Sequence, residues 1–388
     1  MRNTSIRPTA DGVAVGVLAV LLLLVAINLQ AGWVFAVDAL LWGAVVVGWA
    51  EVWTALRGVR VSRTMPAEAT EGEQVSVRLV LGVRRGHRVA LTVRDAVPGL
   101  TAGSVAIPVL STRPVTAAYR ATALRRGVHT VDHVEVFTAG LLGLAAARRR
   151  VPARGTVVVL PRYWTLPRLP SSGPADADRT SVRRVMRHGL DVFGVRDYRD
   201  GDSLRHVHWR STARRGRLVV REFEDDLQEA TAVLLDTRPG LYEDAPDAFE
   251  DLVRATASVA HTATRSGRPV LLVSSADRQA SALSWREALR WLASVHPGGS
   301  RGPAEQHALL PPGTRAVVLT ADADGLLVLA RRHPVAAVVV SVPTYRPGNR
   351  EAGEPPEGSL LALEALGVPV AVLRGGHDAG AALARWAL

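Results

Sequence analysis

The chain contains no cysteine and no lysine. The first absence excludes disulfides, thiolate metal sites and cysteine nucleophiles. The second excludes Schiff-base chemistry and a phosphate-loop lysine, because all 47 basic side chains are arginine. Apolar residues, by contrast, are plentiful. They make up 48% of the 388 residues, enough to bury two or three cores and incompatible with a disordered or fibrous chain.

The formal charge of +11 is unevenly placed. Residues 231–388 hold 15 Arg against 16 acids, so the whole excess lies in residues 1–230, with 32 Arg against 20 acids. Twelve Arg fall between residues 179 and 221, opposed there by Asp191, Asp197, Asp200 and Asp202. This is the strongest local charge feature.

Residues 12–53 are almost wholly apolar, interrupted by Asn28, Gln30, Asp38 and Glu51. A membrane-spanning helix needs about 20 apolar residues, and Asn28 to Gly32 supplies polar and glycine residues for a turn. The segment therefore divides into spans over residues 13–29 and 33–50, a tight transmembrane hairpin. Arg2 and Arg7 precede it, Arg57, Arg60 and Arg63 follow it, and no Arg lies between. The positive-inside bias places both ends, and everything after about residue 55, in the cytoplasm. A cleaved leader is the competing reading. The second apolar span follows at once without an A-x-A-like site before it, which favours an anchor. Asp38, inside the second span, is expected near the outer interface or at a helix–helix contact rather than in an ion or proton site. Residues 1–11 are then a cytosolic tail.

Between residues 54 and 160 the pattern becomes short alternating runs bounded by Gly, Pro and Asp: 59–63, 74–81, 88–93, 115–121, 128–136 and 155–160. Such period-two runs predict antiparallel strands, and at this size a β-sandwich-like module. His129 and His133 lie about 13 Å apart along a strand, too far to share a metal.

Residues 161–228 read as a linker carrying one dense motif. Arg196, Tyr198, Arg205, His208 and Trp209 combine planar donors with aromatic surface, suited to a partner or to an interdomain polar cluster. Gly201 and Asp202 supply turn chemistry. The run over residues 196–214 resembles the hallmark of the domain of unknown function 58 family, R-x-Y-x-x-G-D-x-x-R-x-[IV]-[HD]-W-x-x-[ST]-A-R, ending here in Ala213 and Arg214. Thr212 stands where the family usually has Ser. Residues 137–144 resemble a second family element, D-P-F-G-L, without its Asp-Pro. Asp202, His208 and Ser211 could be arranged as acid, base and nucleophile, but no nucleophile elbow accompanies them. His206 and His208 share a strand face without a third metal ligand. Arg214, Arg215 and Arg217 could meet phosphates of lipid or nucleic acid; no nucleic-acid-binding motif accompanies them, and none is expected to bind.

Residues 229–388 alternate Val/Leu-rich runs with amphipathic stretches, which predicts a doubly wound, mostly parallel α/β sheet. Residues 349–359 read as an exposed loop. The family resemblance implies a von Willebrand factor A-like domain here. Such domains often hold Mg²⁺ in an Asp-x-Ser-x-Ser loop, because a hard cation needs several oxygen ligands. This loop reads Asp236-Thr237-Arg238-Pro239-Gly240, so both serines are replaced and a guanidinium opposes the cation. Asp236, Ser274, Ser275, Thr320, Asp322 and Asp324 nevertheless follow the predicted strands, where a doubly wound sheet opens its crevice.

The expectation is a multidomain membrane protein with no cofactor and no metal, acting as a scaffold or adaptor. The resemblance further implies a MoxR-type AAA+ ATPase as partner. A hydrolase using Asp202 and His208 or the strand-end acids, and an anionic-lipid or nucleic-acid binder using the Arg-rich segment, are the alternatives.

Overall fold

A computed structural model describes residues 4–170, 195–197, 209–216, 218–221, 230–265, 270–312, 314–346 and 357–388. The chain divides into two compact units, Met1–Pro161 and Arg162–Leu388.

The first unit begins with two apolar helices, α1 (Ala10–Leu29) and α2 (Gly32–Ala55). Thr9 caps α1 by accepting a hydrogen bond from the Gly12 amide at 3.0 Å, and Asp11 sits favourably in the first turn. Gln30 ends α1 in the left-handed conformation, with φ 48°, and Ala31 leads directly into α2. At 1.5 Å per residue the helices measure about 30 and 36 Å, the thickness of a bilayer's hydrocarbon core or slightly more. Only 11% and 17% of their most apolar windows are buried, so Leu21, Leu24, Leu40 and Trp33 face outward, unlike the helix of a soluble core. Asp38 is 5% exposed, packed within the hairpin, and its Oδ1 has no partner among the described residues.

Nine strands make up the rest of this unit: β1 (Thr4–Pro8), β2 (Val59–Thr64), β3 (Glu68–Thr70), β4 (Gln74–Val83), β5 (Arg88–Asp95), β6 (Gly103–Leu110), β7 (Val115–Thr122), β8 (Gly127–Thr138) and β9 (Ala145–Leu160). One sheet has the order β1-β9-β8-β5-β6 with β3 beside β9; the other is β2-β4-β7. The alternation read in residues 74–81 is realised along β4, where Val75, Val77, Leu79 and Leu81 are buried and the residues between them are not. These side chains meet Val93, Ile107, Val136 and Val157 of the other sheet in one core.

The structure corrects the N-terminal tail. Residues 4–8 are an edge strand, antiparallel to Ala145–Arg149 with Ile6 opposite Ala147. Pro8 is tolerated there because an edge strand leaves some amides unpaired.

In the second unit β10 (Val195–Asp197) pairs antiparallel with β11 (Val219–Arg221), and α3 (Trp209–Arg215) lies between them in sequence. The α/β body comprises β12 (Thr231–Leu235), α4 (Pro246–Arg265), β13 (Val270–Ser274), β14 (Ser281–Leu283), α5 (Trp285–Ser294), α6 (Pro303–His307), β15 (Arg315–Thr320), α7 (Ala323–Ala330), β16 (Val335–Ser341), α8 (Glu357–Ala365), β17 (Val370–Arg374) and α9 (Ala379–Trp386). The sheet order is β14-β13-β12-β15-β16-β17, parallel except for β14. Helix α4 runs across one face and α6, α7 and α8 cover the other. This is why β12, β13 and β16 are buried at every residue and read as unbroken apolar runs. The loop expected over residues 349–359 is corrected at its end: Glu357, Gly358 and Ser359 open α8, and Ser359 is buried with its hydroxyl donating to Asp324.

Candidate functional site

The crevice of the α/β sheet lies where the chain leaves β12 for β13 on one side and later returns to β15 on the other. Loops diverge at such a switch point, leaving space above the carboxyl ends of the strands. Asp236 follows β12 there and is fully buried.

Its carboxylate receives five hydrogen bonds. Oδ1 accepts from the Arg238 amide at 3.2 Å, Arg238 Nε at 2.9 Å and Ser275 Oγ at 3.1 Å; Oδ2 accepts from Arg238 Nη2 at 2.6 Å and Thr320 Oγ1 at 2.7 Å. A carboxylate offers about four lone-pair sites, so Asp236 is saturated. Arg238 Nη2 also donates to Asp322 Oδ2 at 2.8 Å, bridging the loops after β12 and β15. Asp322 in turn caps α7 by accepting from the Gly325 amide at 2.8 Å.

The electrostatics follow from this geometry. Hydrogen bonding to Asp236 pushes the Arg238 pKa further up, against the effect of burial, with Asp322 adding to it. Burial opposes ionisation of Asp322. The Arg238 hydrogen bond and the backbone amides of its cap outweigh that and hold its carboxyl below the usual value. Burial, reinforced by Asp236, raises the Tyr242 phenol well above its ordinary value, and its hydroxyl donates to the Asp236 carbonyl at 2.8 Å.

A divalent cation fits this arrangement poorly. It would need open carboxylate and hydroxyl oxygens, yet the guanidinium occupies both oxygens of Asp236 and reaches Asp322. Among the described residues no three His, Asp or Glu side chains form a group suited to a metal.

Four of the residues expected in the crevice, Asp236, Ser275, Thr320 and Asp322, are brought together. Ser274 is not: it ends β13, and its amide donates to Asp277 Oδ2 at 2.7 Å. Asp324 is tied to α8 instead. Sequence reasoning missed Thr237, whose amide donates to Ser275 Oγ at 2.9 Å and whose hydroxyl donates to the Gly298 carbonyl at 2.6 Å. It also missed Gln306, fully buried, whose Nε2 donates to the Leu235 carbonyl at 2.9 Å and Ser275 Oγ at 3.1 Å. Thr237 could have been suspected from its place in the loop after β12. Gln306 lies 70 residues from Asp236 and carries no local signal.

The signature segment is described at its edges. Arg196 stands opposite Val220 in the β10–β11 pair. Trp209, at the start of α3, is 66% exposed, and Ala213 and Arg214 are exposed as well. Tyr198, Gly201, Asp202, Arg205, His206 and His208 lie outside the described residues, and with them the acid and base of the hydrolase alternative.

Residues 194–341 match the family model "Protein of unknown function DUF58". The family resemblance is thus shown over the signature and the first five strands of the α/β sheet. The chain is also similar to "Uncharacterized protein YeaD" of Bacillus subtilis (strain 168), 28% identical over 156 residues. That alignment covers 40% of this chain and 38% of YeaD. Among solved structures, the CARDB domain of PF1109 from Pyrococcus furiosus aligns with 26% of this chain and 94% of its own, at 12% identity and a TM-score of 0.20. The PKD domain of an M14-like peptidase from a Thermoplasmatales archaeon aligns with 26% of this chain and 92% of its own, at 14% identity and a TM-score of 0.17.

Proposed function

We propose that the protein is a membrane-anchored scaffold or adaptor without chemistry of its own, built to bind another protein rather than to turn over a substrate. The observation that carries this reading is the self-occupied crevice. Where a von Willebrand factor A-like domain would present a metal-binding aspartate, Asp236 is neutralised by Arg238 and saturated by Ser275 and Thr320. The strand order and the position of Asp236 after the central β12 support that domain reading. Among the described residues, the hydroxyls of Ser275 and Thr320 donate to an Asp236 already paired with Arg238, so neither faces a free base. The hairpin α1–α2 holds the protein in the cell membrane, with both termini on the cytoplasmic side, as the Arg residues flanking it favour.

The partner surface is the signature. A tryptophan 66% exposed on the same helix as the exposed Arg214 is poorly explained by core packing, and exposed Trp and Arg are the side chains that most often anchor protein interfaces. The partner proposed is a MoxR-type AAA+ ATPase, in assembly or remodelling of an envelope system.

Affinity capture of the full-length protein from gently solubilised membranes tests this. The ATPase should be recovered, and Arg196→Ala combined with Trp209→Ala should reduce its yield while the circular dichroism spectrum is unchanged. Repeated capture without an ATPase sinks the partner. Turnover by the purified protein that His208→Ala abolishes without unfolding it would favour the hydrolase.

A further inference from the structure

The loop between β8 and β9 presents two leucines to the outside, and its placement points to what covers them. We propose that Leu141 and Leu142 insert into the same bilayer that holds the hairpin, as a third membrane contact beside α1 and α2. The proposal rests on reading those helices as membrane spans.

Height along the hairpin is the first argument. Counting from the Gln30–Ala31 turn, Ala10 on α1 and Glu51 on α2 are equally distant, each about 30 Å away along its helix. They mark the base of the apolar layer. Glu51 Oε1 accepts from the Leu141 amide at 2.7 Å, so the loop tip sits at that level. On the other helix, Thr9 donates from its hydroxyl to the Gly143 carbonyl and from its amide to the Leu144 carbonyl at 3.2 Å. The loop is therefore pinned to both helices.

Packing then sets its orientation. Leu144 is buried against both helices: a Cβ on Gly12 would lie 1.8 Å from the Leu144 carbonyl oxygen, and one on Gly48 would lie 3.3 Å from Leu144 Cβ. Gly140 takes φ 65°, and a Cβ there would come within 2.8 Å of the Glu51 carboxylate. With Leu144 facing the helices, Leu141 is left 74% exposed and Leu142 47% exposed.

The surroundings suit an interface. Trp49 and Trp53 are exposed near the same end of α2, and Arg57 stacks over Trp53 at 3.7 Å, an aromatic and a cation where headgroups begin. Backbone polar groups near a bilayer must be satisfied internally. Here the Gly140 amide donates to Thr138 Oγ1 at 3.0 Å, the Leu141 amide to Glu51, and the Gly143 and Leu144 carbonyls accept from Thr9.

The lack of cysteine makes the test direct, since one introduced thiol is the sole labelling site. Full-length Leu142→Cys, Leu24→Cys and Val128→Cys are each labelled with an environment-sensitive nitrobenzoxadiazole dye and reconstituted in phosphatidylethanolamine–phosphatidylglycerol vesicles. Leu24 is 59% exposed on α1, and Val128 is 55% exposed at the opposite end of β8 from the loop, about 33 Å from Thr138. The dye at residue 142 should emit further to the blue than at 128. Lipids carrying a nitroxide high on the acyl chain should quench it severalfold more than at 128. Quenching at 24 but not at 142 overturns the proposal and leaves the anchor intact. A blue-shifted signal at 142 that lipid nitroxides do not quench also overturns it, because a protein then covers the loop. Absence of quenching at 24 removes the membrane reading itself, and the proposal with it.

Discussion

Each unit holds an arginine against an aspartate, and the two pairs differ in what surrounds them. Arg63, on β2 of the smaller sheet, reaches across the sandwich. It donates Nε to Asp95 Oδ2 at 2.9 Å, a second hydrogen bond to Oδ1, and others to the carbonyls of Ala153 and His133. Its side chain is 0% exposed and that of Asp95 is 1% exposed. Arg238, at the crevice of the α/β unit, is 26% exposed, with Asp236 at 0% and Asp322 at 25%. Similar chemistry thus makes a sealed clamp between sheets in one place and a plug open to water on one side in the other. Burial on both sides makes an ion pair hard to replace singly, whereas partial exposure lets solvent or a ligand compete for it.

The largest expected effect breaks the sealed pair. Arg63→Met should destabilise the β unit by about 3–5 kcal/mol, because Asp95 would be left buried and unpaired. Adding Asp95→Leu should restore much of that loss, since an apolar pair of similar volume needs no desolvation. Thermal or urea denaturation reads both, and a single variant costing under about 1 kcal/mol would contradict the clamp.

Opening the plug should cost less and change specificity. Arg238→Ser should cost about 1–3 kcal/mol for the buried carboxylate it leaves underpaired. It should also make the melting temperature rise with Mg²⁺ or Mn²⁺, while that of the unmodified protein is expected to stay unchanged. A variant indifferent to divalent ions would mean that the guanidinium is not what keeps a cation out.

The pH dependence separates the pairs further. Asp322 has its pKa held below the usual 3.8, so its contribution is present above that value and fades as pH falls through it toward the folded pKa. Arg238→Ser should flatten the stability profile in that acid window. In a second window, burial and then His333 lower the pKa of His307, whose ring centroid lies 4.1 Å from that of His333. Burial and then Arg265 lower that of His261. A depressed histidine pKa stabilises the fold above 6.5 and loses that contribution as pH drops below it. His307→Gln should reduce the slope of unfolding free energy against pH in this range.

The smallest effect on stability belongs to Trp209. At 66% exposure, Trp209→Ala should shift unfolding by no more than about 0.5 kcal/mol. A loss above about 1 kcal/mol would place the indole in a core instead of on a contact surface.

Much of the fold was legible because its elements carry strong local patterns. The two apolar helices, the alternation of β4 and the apolar runs of β12, β13, β15 and β16 all appear where their sequence pattern places them. β6 was not legible: Val105, Ala106, Ile107, Pro108 and Val109 do not alternate, and the segment becomes a strand because β5 pairs along it. The first half of β9 was hidden by Arg148, Arg149 and Arg150, whose charges obscure a strand held by β8 on one side and β1 on the other. In the crevice, Asp236, Ser275, Thr320 and Asp322 were reachable as strand-end residues, whereas Gln306 was not. Nothing near it in sequence marks a residue whose amide completes a hydrogen-bond network around β12.

The sequence alone determined the apolar hairpin, the order of β-rich and α/β parts, the family signature and the presence of Arg238 in a loop where a cation would need oxygens. Those features rest on composition and on periods of a few residues. Only the tertiary structure decided that Arg238 turns inward onto Asp236 and Asp322, that residues 4–8 pair with β9, and that Leu144 lodges against Gly12 and Gly48 while Leu141 and Leu142 stay outside. Each of these joins residues more than 80 positions apart or chooses between two directions for one side chain, and both depend on which surfaces the folded chain brings together.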